Sequence, residues 1–145
     1  MPVIDCYLPA SSPALRDRDR LAHGLTEALM QCEHTAGNPR AEKLIWTYLH
    51  VMPEESLFIA GQRASRAIYR VEVAVLEGAM DRTTRQKVVE AMTAAILDCE
   101  GSDNNALNAA RVWVIFRDVP EGYWGGAGRL YDLQDLMRFI HGAGE

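Results

Sequence analysis

The residue with the most unusual chemistry is at position 2. The chain opens Met1-Pro2, and an initiator methionine ahead of a small residue such as proline is expected to be removed. Pro2 then becomes a secondary amine at the head of the chain. An α-amino group titrates near about 8 even when unperturbed. At the start of a strand in an apolar pocket its charged form is disfavoured, and the value falls toward neutrality. The result is a general base suited to lifting a proton beside a carbonyl at physiological pH. Proteins also begin Met-Pro without any catalytic meaning, so the elements around Pro2 must decide.

Other candidates for chemistry are weaker. His23, His34, His50 and His141 show no metal-ligand spacing and read as surface or structural residues. Cys6, Cys32 and Cys99 are odd in number, lack a CxxC spacing and sit at apolar positions. They read as core residues of a protein in a reducing cytoplasm rather than as nucleophiles, zinc ligands or disulfide partners. Gly125-Gly126-Ala127-Gly128 follows a strand but leads into a hairpin return, so its glycines serve tight turns rather than a phosphate. No metal and no cofactor is expected.

Composition narrows the field further. The chain has 145 residues, 48% hydrophobic and 24% charged, which suits one globular domain over 1–145. A net charge of −5 offers no basic face for nucleic acid. No apolar run reaches the roughly 18 residues of a membrane helix, and no charged-then-apolar stretch resembles a signal peptide. We expect a cytoplasmic protein without nucleic-acid or membrane partners.

The chain also repeats itself at an offset of 67 residues. Ile4, Cys6 and Leu8 fall on Val71, Val73 and Val75; Leu21, Leu25, Leu29, Cys32 and Glu33 fall on Val88, Met92, Ile96, Cys99 and Glu100. Trp46 falls on Trp113, Pro53-Glu54 on Pro120-Glu121, and Ala60-Gly61 on Ala127-Gly128. Two copies, about 2–61 and 69–128, each read strand, helix, strand and a short glycine-containing return. The alternation of 3–8 and 69–76 predicts strands. Apolar residues at three- and four-residue spacing predict helices over 15–33 and 82–100, the second capped by Asp81 and ended by Gly101. Second strands are expected over 44–51 and 112–116, a surface connection over 61–68 and a C-terminal helix over 130–141. Right-handed crossovers then give an α+β fold, a four-stranded mixed sheet with two helices on one face. The other face keeps apolar side chains that a monomer would leave wet, which predicts oligomerisation.

Pro2, the duplication, the length and both hairpins together resemble the tautomerase superfamily, whose members begin with a catalytic amino-terminal proline on short β-α-β units. The closer resemblance is to fused, two-unit members typified by cis-3-chloroacrylic acid dehalogenase. It is carried by Pro53-Glu54-Glu55-Ser56-Leu57-Phe58-Ile59-Ala60-Gly61 and by the Gly128-Arg129 pair, while Leu76-Glu77-Gly78 is similar to a stretch of 4-oxalocrotonate tautomerase. The resemblance implies a catalytic Pro2 and a substrate-binding Arg129, and fused chains imply a homotrimer with one prolyl site per chain. The departures are as informative. Leu29 stands where the dehalogenases have a histidine, Leu76 and Ala79 where they have arginines, Ile115 for a tyrosine, and Gly126 for the water-activating glutamate.

The pseudo-two-fold would bring the loop 77–82 beside the amine. Arg82 is therefore a candidate for the missing cation, and its planar fork suits a carboxylate or enolate oxygen. Trp124 is a further candidate contact, with Tyr123 and Trp124 also suited to covering an interface. The expected function is a cofactor-independent tautomerase or isomerase in which Pro2 shuttles a proton on a small carbonyl or carboxylate substrate. The alternatives are hydration, dehalogenation or decarboxylation of a small unsaturated acid, and a non-catalytic trimeric binding protein that lost its site.

Overall fold

The computed structural model describes residues 2–142. Met1, on which the expected methionine removal falls, and 143–145, the end of the expected domain, lie outside the described residues. In chain order the elements are β1 (Val3–Pro9), α1 (Arg18–Cys32), α2 (Pro39–Glu42), β2 (Trp46–Met52), β3 (Phe58–Ile59), β4 (Gln62–Arg63), β5 (Tyr69–Leu76), α3 (Arg82–Glu100), α4 (Ala106–Ala109), β6 (Val112–Val119), β7 (Trp124–Gly126), β8 (Arg129–Tyr131) and α5 (Leu133–His141).

The sheet runs β2-β1-β5-β6. The outer pairs β1–β2 and β5–β6 are parallel, as expected for strand-helix-strand crossovers, and the central pair β1–β5 is antiparallel. A four-stranded mixed α+β sheet is therefore what forms. The 67-residue offset extends to elements the sequence patterning did not announce. It carries α2, capped by Asn38, onto α4, capped by Asn105. It also superposes the two hairpin turns: Ala60-Gly61 and Ala127-Gly128 all adopt positive φ, between 48° and 78°. That geometry matches the twist of a two-residue hairpin.

Several boundaries differ from the sequence reading, each for a local reason. Helix α1 begins at Arg18, because Pro13–Asp17 forms a separate 3-10 turn capped by Ser12, and Asp17 then caps α1. Strand β2 starts at Trp46, because Leu44 closes a turn onto the Ala41 carbonyl. The connection 61–68 contributes β4. Helix α5 starts at Leu133 rather than 130, since Leu130 belongs to β8 and a reciprocal Asp132–Asp135 capping box sets the helix start. Asp81 and Gly101, the latter left-handed at φ 80°, cap and end α3 as the sequence predicts.

One face of the sheet packs on α1 and α3. Ile4, Cys6, Leu8, Val71 and Val73 meet Leu21, Leu25, Leu29, Val88, Met92 and Ile96, all fully buried. The opposite face is open. Its edges carry Trp46, 60% exposed, and its repeat-equivalent Trp113, 69% exposed. Its centre is more polar than the patterning suggests. His50 pairs with Asp5 at 2.6 Å and stacks on Tyr7, while Arg117 pairs with Glu72 at 3.0 Å. No described helix is long and apolar enough to cross a membrane.

Candidate active site

Pro2 is buried at the head of β1, where its carbonyl accepts a hydrogen bond from the Trp46 amide at 3.4 Å. The antiparallel register pairs Val3 with Ala74. The next step therefore sets Pro2 against the end of β5, and Val75, Leu76 and Ala79 line a cavity with it. The cavity holds about 330 Å³, the lower end of small-molecule sites. The C-terminal end of α1 supplies one wall with Cys32, Glu33, His34 and Thr35, and Thr84 of α3 joins it. Helix α5 forms the roof with Leu133, Leu136, Met137 and Ile140. Two residues next to the cavity tie that roof down: Asn38 donates to the Ile140 carbonyl at 3.2 Å, and Arg40 to that of Phe139 at 3.3 Å.

At the repeat-equivalent place in the second copy the side chains form a bonded network. Tyr69 stands in place of Pro2, and its hydroxyl lies 2.6 Å from Ser12 and donates to Glu100 at 2.5 Å. Glu100 also accepts from Ser102 at 2.6 Å and from both ends of the Arg111 fork, at 2.9 and 2.5 Å. Arg111 holds the Glu100 carboxyl down at about 2 despite its burial. The repeat-equivalents are Pro2 for Tyr69, Thr35 for Ser102 and Leu44 for Arg111 in the first copy, and Ala79 for Ser12 in the second. Where the second copy has the tyrosine and the arginine of this network, the first has a proline and a leucine, both lining the Pro2 cavity.

The carboxylate is kept. Glu33, the equivalent of Glu100, lines the Pro2 cavity, and burial pushes its carboxyl pKa up. Beside it, His34 adopts a left-handed φ of 57° where the second copy has Gly101. Such strain in a non-glycine residue costs on the order of 1 kcal/mol and gathers at functional sites. The sequence reading gave Glu33 no role beyond its repeat pairing and took His34 for a surface or structural residue. The signal was present in the repeat register, where Glu33 pairs with Glu100 and Leu44 with Arg111.

Of the sequence-predicted contacts, only Pro2 lines the cavity. Arg82 is exposed in the first turn of α3, outside the lining. Arg129 lies on the β8 hairpin, 3.4 Å from Asp135 and stacked over Tyr131 at 4.0 Å. Trp124 opens β7 on the same hairpin, half-buried. No lysine or arginine stands among the described residues lining the cavity. Burial raises the Cys6 thiol to about 12 and raises Cys32 and Cys99 as well, in keeping with core roles. No group of three metal-ligating side chains occurs among the described residues.

No protein-family model matches the chain, and no curated protein does. Solved structures do. The F6 fused 4-OT, a wild-type asymmetric trimer, superposes with a TM-score of 0.72 at 16% identity over 88% of this chain and 94% of that one. N1, a member of the cis-3-chloroacrylic acid dehalogenase family, gives 0.68 at 18% identity over 88% and 82%. The macrophage migration inhibitory factor of Toxoplasma gondii gives 0.67 at 13% identity over 89% and 99%. The chain has the tautomerase β-α-β fold. It has that fold in the two-unit form of the fused 4-OT and cis-3-chloroacrylic acid dehalogenase structures.

Proposed function

We propose that the protein is a cofactor-independent tautomerase or isomerase in which Pro2, freed by removal of Met1, moves a proton to and from a carbon beside a carbonyl. The observation that carries this reading is the burial of Pro2, at the head of β1, against a cavity of about 330 Å³. An apolar surround weakens the charged form of an amine and brings its proton exchange toward neutral pH. One such site occurs per chain, because the second copy begins at Tyr69 inside the polypeptide, where no free amine exists. Arg82, Arg129 and Trp124 are proposed as contacts to parts of the substrate beyond the cavity, and the open sheet face as the surface of a homotrimer. The test is turnover of phenylenolpyruvate by wild type and Pro2→Ala, with intact mass confirming the loss of Met1. A fall of about 100-fold or more is expected for Pro2→Ala. Unchanged turnover rules out Pro2 as the base.

One observation favours a second reading, hydration or dehalogenation of a small unsaturated acid. Glu33 supplies a carboxylate to the cavity, where Gly126 replaces the glutamate of the dehalogenases. Halide release from 3-chloroacrylic acid would select it. A retained Met1 in the intact mass would block the amine and select instead the non-catalytic binding protein.

A further inference from the structure

We infer that Glu33 is the second proton carrier of the Pro2 site, exchanging a proton with the substrate oxygen while Pro2 exchanges one with carbon; this rests on the prolyl reading above. The two residues line the same cavity. Among the described residues the Glu33 side chain has no hydrogen-bond or ion-pair partner, whereas its repeat-equivalent Glu100 is held by Arg111, Ser102 and Tyr69. The first copy thus keeps the carboxylate and replaces the cation that would neutralise it with Leu44. Holding a carboxylate half out of water with no hydrogen-bond or ion-pair partner among the described residues has a cost. The remaining titratable side chains on the cavity are Cys32, His34 and His141.

The proton balance closes in the enol-to-keto direction. The prolyl ammonium gives its proton to carbon, and the enol C=C pair forms the new C–H bond. The O–H proton passes to the Glu33 carboxylate, and the electron pair it leaves becomes the C=O π bond. Pro2 ends neutral and Glu33 ends protonated, and proton exchange between them resets the site. The reverse reaction runs the same steps backward. Because burial raises the Glu33 carboxyl pKa, the low-pH loss of activity is expected above the ordinary glutamate range.

The experiment follows ketonisation of phenylenolpyruvate by the full-length protein between about pH 4 and 9, for wild type, Glu33→Gln, Glu33→Asp and Pro2→Ala. Glu33→Gln should lower kcat by about 100-fold or more with little change in KM, and it should abolish the acidic limb of the pH profile. Glu33→Asp should restore part of the rate and a displaced acidic limb, an outcome that a packing role would not produce. Thermal unfolding of Glu33→Gln should not fall below that of wild type, because the change removes a partly desolvated charge. An inactive Pro2→Ala beside a Glu33→Gln that keeps its rate and acidic limb overturns the role of Glu33 alone. Absent wild-type turnover, or a Pro2→Ala as active as wild type, overturns the prolyl reading and this inference with it.

Discussion

Replacing Arg111 with leucine would give the second copy the residue that the first copy has at position 44, and the cost follows from the structure. The side chains of Arg111 and Glu100 are only 10% and 6% exposed and lie 2.5 Å apart. The Glu100 carboxyl is held at about 2 against an ordinary 4.5. At about 1.4 kcal/mol per tenfold change in acidity, its charged form gains about 3 kcal/mol from folding. Removing one partner of a buried pair costs about 3–5 kcal/mol, because the other charge is left uncompensated. For a chain of this size the midpoint should fall by about 6–20 °C. The sign of the pH dependence is set by the depressed carboxyl. The wild-type contribution is fully present above about 4.5 and is lost as the pH falls toward about 2. The gap between wild type and Arg111→Leu should therefore be widest at neutral pH and narrow in acid. Urea unfolding at pH 7 and pH 3.5, at one fixed protomer concentration because association also stabilises, measures it. Glu100→Gln added to Arg111→Leu should recover most of the loss at pH 7. A single variant within about 0.5 kcal/mol of wild type at pH 7 would refute the reading of this network as a desolvated ion pair.

Two further outcomes are expected. Light scattering at micromolar concentration should give three times 16.2 kDa, and Trp113→Ser, on the exposed edge of the open sheet face, should shift the population toward monomer; a wild-type monomer contradicts the trimer. With Glu33 and no lysine or arginine in the cavity lining, the methyl ester of phenylenolpyruvate should be turned over with a higher kcat/KM than the free acid. A strong preference for the acid would mean that a cation outside the lining, Arg82 or Arg129, dominates recognition.

Much of the architecture was legible without coordinates, because it rests on local rules. Alternation along 69–76 and helical spacing along 82–100 define elements whose observed bounds agree with the reading, and Asp81 and Gly101 act through neighbouring backbone groups. The register of the repeat then fixed which strands are equivalent, and short crossovers permit few arrangements of them. Boundaries slipped where a competing local motif was at work, as with the Ser12-capped turn before α1 and the Asp132–Asp135 box before α5.

The site was legible only at Pro2, whose chemistry belongs to its place in the chain. Which side chains share its cavity depends on groups far apart in sequence: the C-terminal end of α1, the end of β5 and the roof of α5. Repeat spacing shows that Glu33 corresponds to Glu100, but not that one carboxylate is neutralised by Arg111 and the other faces a cavity. That distinction depends on whether Tyr69 and Arg111 or Pro2 and Leu44 stand beside the carboxylate, and on α5, which roofs the Pro2 cavity. Local propensity and periodicity act over a few residues and are written in the chain. Cavities, desolvation and ion pairing arise between residues that meet only when the sheet has closed, and only the tertiary structure decided those.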